Sequence, residues 1–214
     1  MKRRFGGKKY CIAAAVCAAA LMPALLATGI WARYIRSISW KADITFSADL
    51  AEEIYLVEHK AEKQTDGSYR LDDTVTVTEN AYTVMPGVDI PKDPWVYIGN
   101  KSAVDAWLYI EVADGCPEGI TYSLTENWIA LKGENGEPVT GSHGGAVYVY
   151  SADKMNASVL NETFTQHALP ILQDDTVFVS QFITNPAGFS LDFYGYMAQT
   201  AEGKTAAEVF MESF

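Results

Sequence analysis

Three histidines, His59, His143 and His167, supply every imidazole of the 214-residue chain. They stand far apart, and none belongs to a His-Glu-x-x-His segment, the spacing that sets two zinc ligands on one helical face. No Gly-x-Ser-x-Gly elbow presents a nucleophilic serine. His143 lies in Gly141-Ser-His-Gly-Gly145 and reads as a surface loop residue, and His59 reads as structural on a strand face. The acidic pairs Asp72-Asp73 and Asp174-Asp175 precede strand-like runs. They lack the spacing of an EF-hand loop and read as solvated turn residues rather than calcium ligands. These residues predict no catalytic group, no cofactor and no metal site.

Cysteine use is equally sparse. Cys11 and Cys17 fall in the apolar N-terminal run, which leaves Cys116 alone in the rest of the chain and no partner for an intramolecular disulfide. Asn100, Asn156 and Asn161 match glycosylation acceptors, in a chain whose Ser and Thr content makes such matches common.

The segment that sets the compartment is N-terminal. Lys2, Arg3, Arg4, Lys8 and Lys9 precede Tyr10–Trp31, a stretch with no charged residue. Basic residues ahead of an apolar run hold the N-terminus in the cytoplasm while the following chain crosses the membrane. About 22 residues at a rise of ~1.5 Å reach roughly 33 Å, enough for a membrane anchor, whereas Pro23, Thr28 and Gly29 suit a cleaved signal. Cleavage is expected around Ala27 or Ala32, with a retained anchor over residues 10–31 as the alternative. Residues 1–32 are thus read as signal peptide or signal anchor, and 33–214 as one exported domain. Five of the 16 basic residues lie before residue 33, leaving 11 against 27 acidic ones and a charge of about −16. Such a charge repels phosphates and excludes nucleic acid as a partner.

The exported part alternates with period two. Ile54 and Leu56 share one face of a strand around Glu53–His59. In Val104–Val112, Val104, Ala106, Leu108, Ile110 and Val112 oppose Asp105, Trp107, Tyr109 and Glu111. Other strands are expected at Tyr69–Glu79, Trp95–Ile98, Ile120–Leu124, Trp128–Leu131, Ala146–Tyr150, Thr176–Ile183 and Phe189–Met197. Gly and Pro punctuate them, as at Asp66-Gly67 and Pro86-Gly87. Many short strands predict an all-β sandwich. Thr205-Ala-Ala-Glu208 has the form of a capping box and starts a short C-terminal helix with Ala206, Phe210 and Phe214 on one face. Trp107 and Tyr109 are the candidate interaction face. They either mark a binding surface or are covered by that helix or a second sheet.

Met85–Val112, from Met-Pro-Gly-Val-Asp-Ile-Pro-Lys-Asp-Pro-Trp-Val through Gly99-Asn-Lys-Ser-Ala-Val-Asp-Ala-Trp-Leu-Tyr-Ile-Glu-Val, resembles exported TasA/camelysin-type proteins of Firmicutes. The basic, Ala/Leu-rich export segment is similar too, and the Tyr194–Phe214 end resembles clostridial relatives. The resemblance implies a jelly-roll-like antiparallel sandwich, processing by a signal peptidase of the SipW type, and a secreted or cell-surface location in a Gram-positive bacterium. It also implies self-association into biofilm-matrix fibres by donation of an N-terminal strand. Arg33–Ala48, with Ile35, Ile38, Ile44 and Phe46, is the candidate donor. Where the family has an aromatic-x-Asp segment after cleavage, this chain has Ala32-Arg-Tyr-Ile-Arg36. The alternatives are a camelysin-like surface metallopeptidase and a membrane-anchored adhesin or binding module.

Overall fold

A computed structural model describes residues 30–36, 54–98, 105–160, 168–183 and 189–214. Thirteen strands and one helix are ordered along the described chain: β1 (Ile30–Arg36), β2 (Ile54–Lys63), β3 (Tyr69–Val77), β4 (Glu79–Tyr82), β5 (Ile90–Pro91), β6 (Trp95–Ile98), β7 (Ala106–Asp114), β8 (Ile120–Thr121), β9 (Trp128–Ala130), β10 (Ala146–Tyr150), β11 (Ala168–Pro170), β12 (Thr176–Val179), β13 (Leu191–Gln199) and α1 (Ala206–Ser213). The described chain is all-β with one short C-terminal helix, as the alternation and the Thr205–Glu208 capping box predict. The proposed signal or anchor lies outside the described residues, except that Ile30, Trp31 and Ala32 belong to β1. No described helix is long and apolar enough to cross a membrane.

A six-stranded sheet in the order β4-β1-β13-β7-β10-β9 faces a four-stranded sheet, β11-β6-β2-β3, and a small sheet, β5-β12-β8, adjoins them. The spine is the antiparallel β7–β13 ladder, in register from Leu191↔Asp114 to Gln199↔Ala106. Leu108, Ile110, Val112, Leu191, Phe193 and Met197 on its inner face meet Leu56, Val96 and Ile98 of the opposing sheet in the main core.

The six-stranded sheet is buried on its second face as well. Helix α1 lies there, and Val209 and Phe210 pack with Tyr109, Val147, Val149, Tyr194 and Tyr196. The alternation around β7 predicts one core face and one polar or aromatic face, but Ala106, Leu108, Tyr109, Ile110, Glu111 and Val112 are all buried. The sheet is a middle layer, and the aromatic face is the floor of a second core. The helix starts where the sequence places it. The Glu208 amide donates to Thr205 Oγ1 and the Glu208 carboxylate accepts from the Thr205 amide, satisfying donors a helix N-terminus leaves free.

Local signals fix the turns. The β2–β3 hairpin closes at Asp66-Gly67, where Gly67 takes φ +89°, a conformation glycine adopts without a Cβ clash. Between His59 and Lys60 the β2–β3 register shifts. The buried Asn80 side chain spans that bulge, donating to the His59 carbonyl at 2.7 Å and accepting from the Ala61 amide at 2.8 Å.

Candidate functional site

Two built features stand out, a strand slot and a buried carboxylate cluster. The slot is the position of β1. Ile30–Arg33 pair antiparallel with β4, in register Ile30↔Tyr82 to Arg33↔Glu79. Tyr34–Arg36 pair parallel with β13, in register Tyr34↔Phe193 to Arg36↔Gly195. This is the one parallel ladder among the described strand pairs, and β4 joins the six-stranded sheet only through β1. Of the candidate donor residues, Ile35 lies within β1, opposite Tyr194 in register. Ile38, Ile44 and Phe46 lie outside the described residues, as does Ala27, whereas Ala32 pairs with Asn80 inside the strand.

The floor beside this slot carries charge. Tyr82 of β4 and Phe193 of β13, the strands flanking β1, both point into the main core. The Lys92 ammonium stands 5.9 Å from each ring centroid and donates to Glu58 Oε2 of β2 at 2.9 Å. Their side chains are 1 % and 0 % exposed. Burial pushes the Lys92 pKa down, against the pull of Glu58. The sequence offers a faint sign of this pair: Glu58 continues the Ile54/Leu56 face, so a carboxylate falls at a core phase of the strand.

The second feature surrounds Glu111, which is fully buried on the helix side of β7. Its Oε1 accepts from the amides of His143 and Gly145, each at 2.8 Å. Its Oε2 accepts from the Tyr196 hydroxyl at 2.5 Å and stands 3.0 Å from His143 Nδ1. The imidazole stacks flat on Tyr194, with centroids 3.6 Å apart. A Cβ on Gly141 would enter the Glu111 carboxyl, and one on Gly145 would enter the Val112 backbone. Gly141–Gly145 is therefore an anchored loop wrapped on a carboxylate, not the flexible one its composition suggests. Ser142 Oγ approaches the same ring nitrogen that faces Glu111, at 3.3 Å. A hydrolytic triad needs carboxylate and nucleophile on opposite ring nitrogens, so this cluster builds no such triad.

The remaining candidates have structural places. Tyr109 is buried under α1, its hydroxyl donating to the Ala206 carbonyl at 2.9 Å. Trp107 packs partly buried against the same core, and its Nε1 has no hydrogen-bond partner among the described residues. Of the two alternatives for that face, the structure has the covered one: the C-terminal helix occupies it. His59 Nδ1 is 2.5 Å from Asp93 Oδ2 with its ring against Trp95, and His167 lies outside the described residues. Asp72 and Asp73 lie inside β3 rather than in a turn before it, and the Asp72 carboxylate accepts from the amide and hydroxyl of Thr74. Asp175 sits at φ +48°, its carboxyl pushed up by burial first and by Asp93 and Asp174 next. Among the described residues no group of three or more His, Cys, Asp or Glu is placed to hold a metal ion. Cys116 is half-buried and free, and burial, then Asp114, pushes its thiol pKa far up.

Fold and slot together define a class: a mostly antiparallel β protein whose first described strand is seated inside its sheet. Comparison with protein-family models, with curated proteins and with solved structures finds no match for the chain.

Proposed function

We propose that the chain is an exported structural protein of the cell surface or extracellular matrix of a Gram-positive bacterium, a jelly-roll-like sandwich that joins copies of itself by exchanging β1. The observation that carries this reading is the seat of β1 between β4 and β13, parallel to the latter. Removing β1 opens two strand edges at once, and open edges recruit a strand of matching length. The 17 residues between Arg36 and Ile54 extend to at most about 56–61 Å, enough for β1 to fill its own slot or a neighbour's.

Processing fits the same reading. Cleavage at Ala27 keeps all of β1, whereas cleavage at Ala32 removes the three residues that pair with Tyr82, Ala81 and Asn80. The signal peptidase is of the SipW type in this reading, and release at Ala27 frees the strand. Retention of residues 10–31 tethers the sandwich to the membrane.

The test is assembly of purified chain starting at Thr28, with and without residues 28–36, followed by electron microscopy and light scattering. Fibres are expected from the first and not the second. A synthetic 28–40 peptide in excess is expected to stop growth of the intact chain. Fibres that ignore both the deletion and the peptide refute the proposal.

A further inference from the structure

We propose that the buried Glu58–Lys92 pair sets how readily β1 leaves its slot, acting as the release element of the sheet. The proposal rests on the reading that β1 is exchangeable. Its geometric basis is the position of the pair. Lys92 Nζ lies equally far from Tyr82 and Phe193, and these residues are in register with Ile30 and Tyr34 of β1. Glu58 reaches the same point from β2, which β1 contacts across the core. With β1 seated, both charged groups are out of water.

Burying two charges costs hydration that their mutual attraction repays only in part. Exchange of such a pair for apolar residues of similar volume is therefore often neutral or stabilising. Here the cost falls on one conformational step. When β1 leaves, water enters the slot and rehydrates the ammonium and the carboxylate, which lowers the free energy of the open form. With an apolar floor, the same opening would expose hydrocarbon to water instead. The burial-driven fall of the Lys92 pKa agrees with a charged form held at a cost. A pair that merely strengthened the fold would act on global unfolding and not on this slot in particular.

The test is amide hydrogen exchange of residues 30–36 in the wild-type chain and in the double variant Glu58→Leu/Lys92→Met. Exchange in β1 is expected to slow at least about fivefold, the low end of the gain seen for such replacements at tenfold per 1.4 kcal/mol. Amides of the β9 edge, which open without β1, are expected to keep their rates. Slowing confined to the most protected amides of β7 and β13, with β1 unchanged, overturns the proposal. If the double variant does not fold, Glu58→Gln gives the opposite sign. It leaves the Lys92 charge without its carboxylate and is expected to speed β1 exchange at least about fivefold; an unchanged rate overturns the proposal. Uptake of a labelled 28–40 peptide by the wild-type chain separates the two levels. Uptake with β1 exchange insensitive to the pair refutes the release role and leaves strand donation standing. Absence of uptake refutes strand donation, while the exchange rates still decide the role of the pair.

Discussion

Glu111→Leu tests whether the Gly141–Gly145 loop is held by the buried carboxylate. Leucine fills a similar volume and accepts no hydrogen bond. The His143 and Gly145 amides, each 2.8 Å from Oε1, then lose their acceptor. A buried donor left without a partner costs about 1–3 kcal/mol. The Gly145 amide is buried and takes the upper part of that range, whereas the His143 amide is half-buried and recovers some water. The Tyr196 hydroxyl has Ser142 Oγ at 3.3 Å as a substitute. The expected loss is about 3–4 kcal/mol, a large part of the 5–15 kcal/mol typical of a folded domain. In a chain of this length it lowers Tm by about 6–16 °C. Glu111→Gln keeps an oxygen for both amides and is expected to cost only about 1–2 kcal/mol. Urea unfolding followed by tryptophan fluorescence measures both, with m unchanged if only stability moves. A leucine variant within about 1 kcal/mol of wild type, or a glutamine variant as damaged as leucine, refutes the reasoning.

Three further outcomes follow from buried groups. Burial pushes up the phenol pKa values of Tyr82, Tyr109, Tyr122, Tyr150 and Tyr196. A phenol whose folded pKa exceeds its unfolded value of about 10 lends stability fully present below pH ~10 and lost as pH rises beyond it. Phenolate absorbance is therefore expected to rise in a late, cooperative step that coincides with unfolding, and gradual ionisation of all tyrosines near pH ~10 in the intact fold would contradict this. Phe210→Ala removes a ring packed on Tyr109 and Tyr196 at 5.0 and 5.6 Å. It is expected to cost about 3–5 kcal/mol in urea unfolding and to red-shift tryptophan emission as Trp107 is uncovered. The Cys116 thiol, raised by burial and by Asp114, is expected to react with a thiol reagent at pH 8 far more slowly than in the unfolded chain, and equal rates would show an open thiol.

The strands were legible because their signals are local. Ile54/Leu56 and Ala106/Leu108/Ile110/Val112 alternate over short windows, and Thr205 and Glu208 form a cap within four residues. What escaped was whatever depends on a third layer. The alternation of β7 looks the same whether Trp107, Tyr109 and Glu111 face water or a helix. Only the docking of Phe210 a hundred residues later decides it. Glu111 thus read only as part of the face opposite the core, and Gly141-Ser-His-Gly-Gly145 as a surface loop, because neither reveals the other in sequence. Lys92 followed a proline in a turn-like context, and its burial is visible only when Glu58, Tyr82 and Phe193 converge on it.

The two ends of the described chain close the six-stranded sheet by different physics. At one end α1, eight residues long, is too short to be stable alone and persists through an aromatic cluster of Phe210, Phe214, Tyr109 and Tyr196. That core takes its buried residues from β7, β10, β13, α1 and the segment 131–139, and none from β2 or β4. At the other end β1 sits over the main core, where Tyr82 and Phe193 flank a buried ion pair. Loss of β1 detaches β4 from the sheet but leaves the β7–β13 ladder paired along its full length. Among the described residues Cys116 is free and no disulfide staples either end, so one end is held by apolar packing and the other is seated beside a buried ion pair. In the proposed exchange, a neighbour's strand would take the place of β1 between β4 and β13.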